Sequence, residues 1–314
     1  YTGGGCPHIL AEPQRTNDIQ YSQDFSNAVW NNLSIGTTPV LTSGFTSPDG
    51  TDNAYKISNA NQDSFWFISG TVSATDSRTI YARTVSGTGT AQLLSHNSNT
   101  NNTFNLTEEW QRFEVSSTTS ATGNTSYYAV DFRGSGTLTE LLIWGAQTEV
   151  GSYPTSYIPT SGSTVTRNQD IFTRDGIGSL INSTEGVLFA EMAALANDGT
   201  FREISINDGS SDHLIALRYR STNNQINIFV RNGSGNTIVN ISTTLADATN
   251  FYKIALKYKS GDYALWVDGT EIITSSASEV PSGLNELSLS RGGGSDYFYG
   301  KVKQLQVYDT SLSD

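Results

Sequence analysis

The chain has little of what disulfides and metal sites require. Among its 314 residues, cysteine and methionine occur once each and histidine three times. The single cysteine, Cys6, excludes an internal disulfide, so the fold must be held by its cores. His8, His96 and His213 have no partner ligand at the spacing of a zinc site. We therefore expect no zinc.

Charge is scarce and mostly negative. Charged residues make up 15% of the chain, and the net charge is −12. Nucleic-acid binding depends on clustered Lys and Arg, so this composition argues against a nucleic-acid partner. No apolar run approaches the length of about 18 residues that a membrane helix needs, so we expect no membrane insertion.

Sustained helical periodicity is also missing. Short runs of alternating apolar and polar residues are separated instead by Gly, Asn, Ser and Asp, and the chain contains 29 glycines. This pattern predicts an all-β protein, and the length favours two domains. In "YALWVDGTEI", Asp268-Gly269 predicts a tight hairpin, because both central residues of that turn need positive φ.

Stretches rich in Gly, Pro, Ser and Thr divide the chain into four parts. Residues 1–20, rich in Gly and containing Pro, predict an extended arm. Residues 21–150 predict a jelly roll, and 151–168 a Pro-containing linker that acts as a semi-rigid spacer. Residues 169–314 predict a second sandwich. The expected fold is thus all-β, with two β-sandwich (jelly-roll) domains and an N-terminal extended arm.

Two motifs flank the first predicted domain, "CPHILAEPQRTNDIQYSQDFSNAVW" and "WGAQTEVGSYPTSYIPTSGSTVTR". Together they resemble a pattern in phage tail and head-fibre structural proteins, where a carbohydrate-binding-module-like jelly roll lies between an "EPQRTN" lead-in and a "SYIPT" exit. The second half, through "YKIALKYKSGDYALWVDGTEI" to "GKVKQLQVYDTSLSD", is similar to concanavalin A-like (laminin G-like) lectin/glucanase domains.

This resemblance implies a non-enzymatic protein of the virion surface, in a head or tail fibre, that binds a glycan or polysaccharide and aids attachment. It also implies a homotrimer, with the N-terminal arm contacting other virion proteins. Similar modules occur on bacterial secreted polysaccharide-degrading enzymes. The alternative is therefore a pair of non-catalytic carbohydrate-binding modules from a secreted enzyme.

The sequence shows no pair of carboxylates at the spacing of a glycosidase active site. A glycosidase needs two carboxylates about 5–9 Å apart across the sugar, and the laminarinases of this fold carry them in a Glu-x-Asp-x-x-Glu run. The nearest match is "EWQRFE", Glu109 to Glu114, whose middle position is Gln111. We expect this stretch to be a strand entry and the protein not to be an enzyme.

Saccharides are held by aromatic faces and by planar polar side chains, and both predicted domains offer them on alternating strands. In the second domain the arginines form a candidate positive patch for an acidic polysaccharide or an acidic neighbouring subunit. Ordinary cross-strand neighbours on a solvated sheet are the competing interpretation for all of these residues. The predicted carbohydrate-binding residues are Trp66, Tyr81, Arg83, Tyr127, Asp131 and Arg133 in the first domain, and Arg218, Arg220 and Arg231 in the second.

A structural calcium ion is the one candidate cofactor. "SPDGTDNAYKI" offers Asp49 and Asp52, and "NDGSSD" offers Asp208 and Asp212, with the first domain preferred. The same residues also suit turns, because Asp side chains bond to their own backbone there.

Overall fold

The computed structural model describes residues 7–33, 37–61, 64–69, 76–95, 102–118, 127–133, 136–233 and 236–312. This part of the chain is built from strands, with no α-helix and one short 3-10 helix, Gly178–Leu180. None of its helices could cross a membrane. The strands in chain order are β1 (Ile9–Ala11), β2 (Arg15–Asn17), β3 (Asn31–Leu33), β4 (Val40–Phe45), β5 (Ala54–Ser58), β6 (Phe65–Ser69), β7 (Asp76–Arg83), β8 (Gly89–Ser95), β9 (Thr103–Leu106), β10 (Gln111–Thr118), β11 (Tyr127–Asp131), β12 (Leu141–Val150), β13 (Val165–Arg167), β14 (Thr173–Arg174), β15 (Glu185–Ala194), β16 (Arg202–Asn207), β17 (His213–Tyr219), β18 (Gln225–Asn232), β19 (Thr237–Thr244), β20 (Tyr252–Lys259), β21 (Tyr263–Val267), β22 (Thr270–Ser275), β23 (Glu286–Ser288) and β24 (Gly300–Tyr308).

These strands form two compact units, which confirms the predicted all-β class. The first unit, Gln14–Asn168, contains two five-stranded sheets, ordered β10-β7-β12-β5-β4 and β3-β6-β11-β8-β9, and a small sheet of β13 and β2. Its core combines residues of both five-stranded sheets, among them Ile80, Leu93, Tyr128 and Ile143. Alternation along each strand places these apolar side chains on one side.

The second unit consists of Tyr1–Pro13 and Gln169–Asp314. Its two six-stranded sheets are ordered β1-β24-β15-β20-β21-β22 and β14-β23-β16-β17-β18-β19. Leu188 and Leu256 of one sheet and Ile204 and Ile228 of the other share one core. The predicted hairpin is confirmed, since Asp268 and Gly269 join β21 to β22 with φ of 49° and 81°.

Of the predicted extended arm, residues 7–20 are described, and they contain two short strands. Strand β1 pairs with β24 at the edge of a sheet in the second unit, and β2 pairs with β13 in the first. Pro7 and Pro13 flank β1, which suits an edge strand because proline lacks the N–H that a central strand must donate. The two prolines thus delimit a short edge strand within the extended segment.

The predicted linker, residues 151–168, is part of the first unit. The Asn17 side-chain amide donates to the carbonyl oxygens of Ala146, at 3.1 Å, and Ile158, at 2.8 Å. Glu149, which is fully buried, accepts from the backbone N–H and the hydroxyl of Thr155. These hydrogen bonds attach residues 151–168 to β12 and β2. The segment is therefore packed on the first unit and is not a free spacer.

Candidate functional site

The outward side of the β14-β23-β16-β17-β18-β19 sheet carries a cluster of arginines. Along β17, Ile215 and Leu217 enter the core while Arg218 lies on the opposite side. Register then places Arg218 opposite Asn227 and Leu214 opposite Arg231. The arginine face is the outward surface that carries Arg218, Arg220, Arg231 and Arg291, with Arg218 and Arg291 over the Phe229 ring.

Arg218 is the fixed centre of this face. Its Nε donates to Asn227 Oδ1 at 2.6 Å and its Nη2 to Asn240 Oδ1 at 3.2 Å. Its guanidinium lies 3.7 Å from the centroid of the Phe229 ring and 5.4 Å from that of Phe201. A guanidinium stacked on an aromatic face and bonded at its edge is held in one orientation.

The other arginines of the face are half-buried. Arg220 donates from Nη1 to Ser242 Oγ at 2.9 Å, and Arg231 donates from Nη1 to the Ser211 carbonyl oxygen at 2.7 Å. Arg291 lies 5.3 Å from the Phe229 centroid. The structure thus brings together the three arginines that the sequence predicted and adds a fourth.

A buried carboxylate lies beneath the arginines. Glu203 on β16 is 0% exposed and pairs in register with Arg218. Its Oε2 is 3.9 Å from Arg218 Nη1, and neither carboxylate oxygen has a hydrogen-bond partner in the described structure. Burial raises the pKa of Glu203 to about 7, against the opposing charges of Arg218 and Arg291. Burial also lowers the pKa of Arg218, to about 10, so it stays charged at neutral pH.

Two loops border the face. Gly292 leaves no room for a side chain, since a Cβ there would lie 1.9 Å from the carbonyl oxygen of Ser210. The "RGGGSD" loop that starts at Arg291 is therefore packed against the loop after β16. In that second loop, Asp208 accepts from the Ser210 hydroxyl, and its Oδ2 lies 3.0 Å from His213 Nδ1.

In the first unit, Tyr81 and Arg83 lie on the outward side of β7, as alternation predicted, because Ile80 and Ala82 enter the core. The Tyr81 ring packs against Trp144, with centroids 5.2 Å apart. Arg83 donates from Nη1 to the Glu108 carbonyl oxygen at 3.3 Å and lies 5.4 Å from the centroid of Trp110. A saccharide site at Tyr81 and Arg83 stays a prediction.

Two residues predicted to contact a saccharide, Trp66 and Asp131, are buried. Trp66 is 7% exposed and belongs to the core, in register with Val130. Asp131 is 0% exposed and accepts from Nε and Nη2 of Arg133 at 2.8 and 2.7 Å, so its charge is neutralised inside its own unit. Alternation failed here because both sides of β11 are buried. The side chain of Tyr127 lies outside the described residues.

The predicted calcium ligands are engaged in turns. Asp49 Oδ1 accepts from the Ser47 hydroxyl, the Thr51 hydroxyl and the Thr51 N–H, at 2.6 to 2.9 Å, and these bonds lower its pKa. Asp52 accepts from Thr46. No group of three or more His, Cys, Asp or Glu that could hold a metal occurs among the described residues. A calcium ion at Asp49 and Asp52 stays a prediction.

Sequence reasoning missed Glu203, Phe229 and Arg291. Glu203 and Phe229 share the period-two signal of the predicted arginines, since Glu203 alternates with core residues on β16 and Phe229 lies two residues before Arg231. Arg291 follows β23, and its position depends on the packing of its loop.

Residues 192–314 match the family model of the concanavalin A-like lectin/glucanases superfamily. The matched residues lie within the second unit. No curated protein matches the chain.

Similar solved structures include the CBM40 module of a Ruminococcus gnavus IT-sialidase, at 18% identity and a TM-score of 0.38, covering 46% of this chain and 94% of that one. They also include sheep galectin-11, at 8% identity and a TM-score of 0.32, covering 44% of this chain and 97% of that one. The Caenorhabditis elegans galectin LEC-6 is similar at 11% identity and a TM-score of 0.32, covering 44% and 89%. At these values the likenesses identify no ligand for this chain.

Proposed function

We propose that the protein binds carbohydrate, and that the arginine face is its binding surface. One observation carries this proposal. Four guanidinium groups lie with the Asn227 and Asn240 amides on one side of a sheet, in the unit whose residues 192–314 match the lectin/glucanase family model.

The chemistry of the face suits sugar hydroxyls. Guanidinium and amide groups are planar and present N–H donors. Asn227 is fully buried and holds Arg218, whereas the exposed Asn240 presents its amide to solvent. Stacking on Phe229 and the bond to Asn227 fix Arg218 before any ligand arrives, so little conformational entropy is lost on binding. The half-buried Arg220, Arg231 and Arg291 offer donors to solvent.

We propose binding without cleavage. A glycosidase must bring two carboxylates to the scissile bond. Glu203 is 0% exposed and therefore cannot touch a sugar in this conformation. Asp296, the carboxylate whose charge acts on Glu203, lies 3.5 Å from Arg291 Nη1. The carboxyl groups of the face thus support the arginines.

The setting that we propose is the virion surface, with the protein assembled as a homotrimer. The support is the resemblance of residues 6–30 and 144–167 to the flanking motifs of phage fibre proteins. A pair of carbohydrate-binding modules from a secreted enzyme is equally consistent with the lectin-like domain. Light scattering on the purified chain separates the two, since a trimer supports the fibre protein and a monomer supports the secreted modules.

The experiment for the binding proposal compares substituted chains on immobilised polysaccharides and on a glycan array. Arg231→Ala and Arg291→Ala should each abolish or strongly reduce retention. The matched control is Arg174→Ala, an exposed arginine of the same unit outside the arginine face. Equal loss in the control, or no loss in either site variant, would contradict the assignment of the face.

A further inference from the structure

The arginine face carries more hydrogen-bond donors than acceptors. In the described part of the chain the Arg291 side chain makes no hydrogen bond, and its Nη1 lies 3.5 Å from Asp296 Oδ2. Arg231 makes a single bond, to the Ser211 carbonyl oxygen, while its Nη2 lies 3.6 Å from Asp212 Oδ1. Each guanidinium has five N–H donors. The Nε of Arg231 and the Nε of Arg291 are both buried, and neither has a hydrogen-bond partner in the described structure.

Arg231 and Arg291 both lie at the loop after β16. Arg231 donates to the Ser211 carbonyl oxygen, and Gly292, next to Arg291, packs against Ser210. Arg231 lies two residues after Phe229 on β18 and hence on the same side of the sheet. Arg291 lies over the Phe229 ring, and the close approach of Gly292 to Ser210 holds the base of its loop. The two arginines therefore approach the same loop from two separate elements, a strand and the loop that follows β23.

Glu203 is a buried carboxyl group on the same side of the sheet as these arginines. It is fully buried, and its Oε2 lies 3.9 Å from Arg218 Nη1, yet its two oxygens accept no hydrogen bond in the described structure. When ionised, this carboxylate attracts the neighbouring Arg218 without occupying its hydrogen-bond donors. The buried Nε groups of Arg231 and Arg291 and the oxygens of Glu203 are polar atoms without a partner in the described structure, and a cluster of such atoms is typical of a functional site.

We infer that the saccharide bound here carries an anionic substituent, a carboxylate or a sulfate, held between Arg231 and Arg291. This inference rests on the proposed function. Guanidinium forks match carboxylate and sulfate oxygens in bidentate geometry, and such charge-assisted bonds are about twice as strong as neutral ones. A chain of net charge −12 would otherwise repel an acidic glycan, so the local arginines overcome the overall charge.

The test uses the whole chain and matched glycans that differ only in the substituent: neutral, carboxylated and sulfated forms of one oligosaccharide. Affinities are measured by biolayer interferometry at constant ionic strength. We expect an acidic form to bind at least about tenfold more tightly than the neutral form. A preference for the carboxylated or the sulfated form identifies which oxyanion the site takes.

Arg231→Lys and Arg291→Lys keep the charge and remove the fork, so each should reduce the acidic preference to a few-fold, while Arg174→Lys should leave it unchanged. Equal affinity for acidic and neutral forms would overturn the inference and leave the proposed function standing. Absence of binding to every form would overturn both. A preference that survives both lysine variants would also overturn it, by showing that charge alone, and no fork, selects the ligand.

Discussion

Replacing Glu203 by glutamine removes a buried charge while keeping the shape of the side chain. In the folded protein, burial raises the pKa of this carboxyl from 4.5 to about 7. The folded state therefore binds the proton more tightly than the unfolded chain does. Between these two values, ionisation of Glu203 lowers the free energy of unfolding as pH rises. Below pH 4.5 the penalty is absent, and above pH 7 it is complete.

The size of the effect follows from the shift. One pKa unit corresponds to ~1.36 kcal/mol, so a rise from 4.5 to about 7 amounts to about 3 kcal/mol of stability lost by pH 8. Glutamine does not titrate. The stability of Glu203→Gln minus that of the unsubstituted chain should therefore increase by about 3 kcal/mol between pH 4 and pH 8.

The assay must report on the second unit alone. Of the five tryptophans, Trp266 belongs to this unit and the others to the first. Labelling with 5-fluorotryptophan and following the Trp266 ¹⁹F signal in urea gives the unfolding free energy of the second unit at each pH. Glu271→Gln, at an exposed position of the same unit, is the control and should show no pH-dependent difference. If the difference in unfolding free energy between Glu203→Gln and the unsubstituted chain stays constant from pH 4 to pH 8, the raised pKa of Glu203 is refuted.

Three further predictions concern packing. Gly292→Ala should displace its loop from Ser210 and weaken saccharide binding on the array; unchanged binding would mean that the loop does not shape the face. Asn17→Ala, which removes four buried hydrogen bonds, should cost ~3 kcal/mol in urea unfolding of the first unit. The exposed Asn31→Ala should cost little, and equal losses would refute the role given to Asn17. Trp66→Ala should cost about 3–5 kcal/mol without altering saccharide binding by the folded protein, whereas lost binding would return Trp66 to the site.

Alternation along strands predicted the arginine face because β17 and β18 each have a fully apolar side. Leu217 and Ile228 enter the core, so Arg218 and Arg231 could only face outward. The same rule misplaced Asp131, since β11 is buried on both sides and its neutralising partner, Arg133, lies two residues away. Period two identifies which residues share a side and leaves open whether that side is exposed.

Features that depend on contacts between distant parts of the chain could not be predicted from the sequence. The edge strand β1 meets β24 almost three hundred positions away in the chain, and no local pattern in a Pro- and Gly-rich segment indicates that pairing. Arg291 reaches the arginine face because its loop packs on the loop after β16. Glu203 was visible as a polar residue on a strand, but its burial depends on its neighbours β17 and the segment of Tyr297.

The claim that the arginine face binds saccharide is tested most directly by NMR of the arginine Nε–Hε groups. An acidic oligosaccharide is titrated into the ¹⁵N-labelled whole chain, with the signals assigned by single Arg→Lys substitutions. The account predicts saturable shifts of Arg218, Arg231 and Arg291, with Arg174 unchanged. Binding that shifts other signals and leaves these three in place would contradict it.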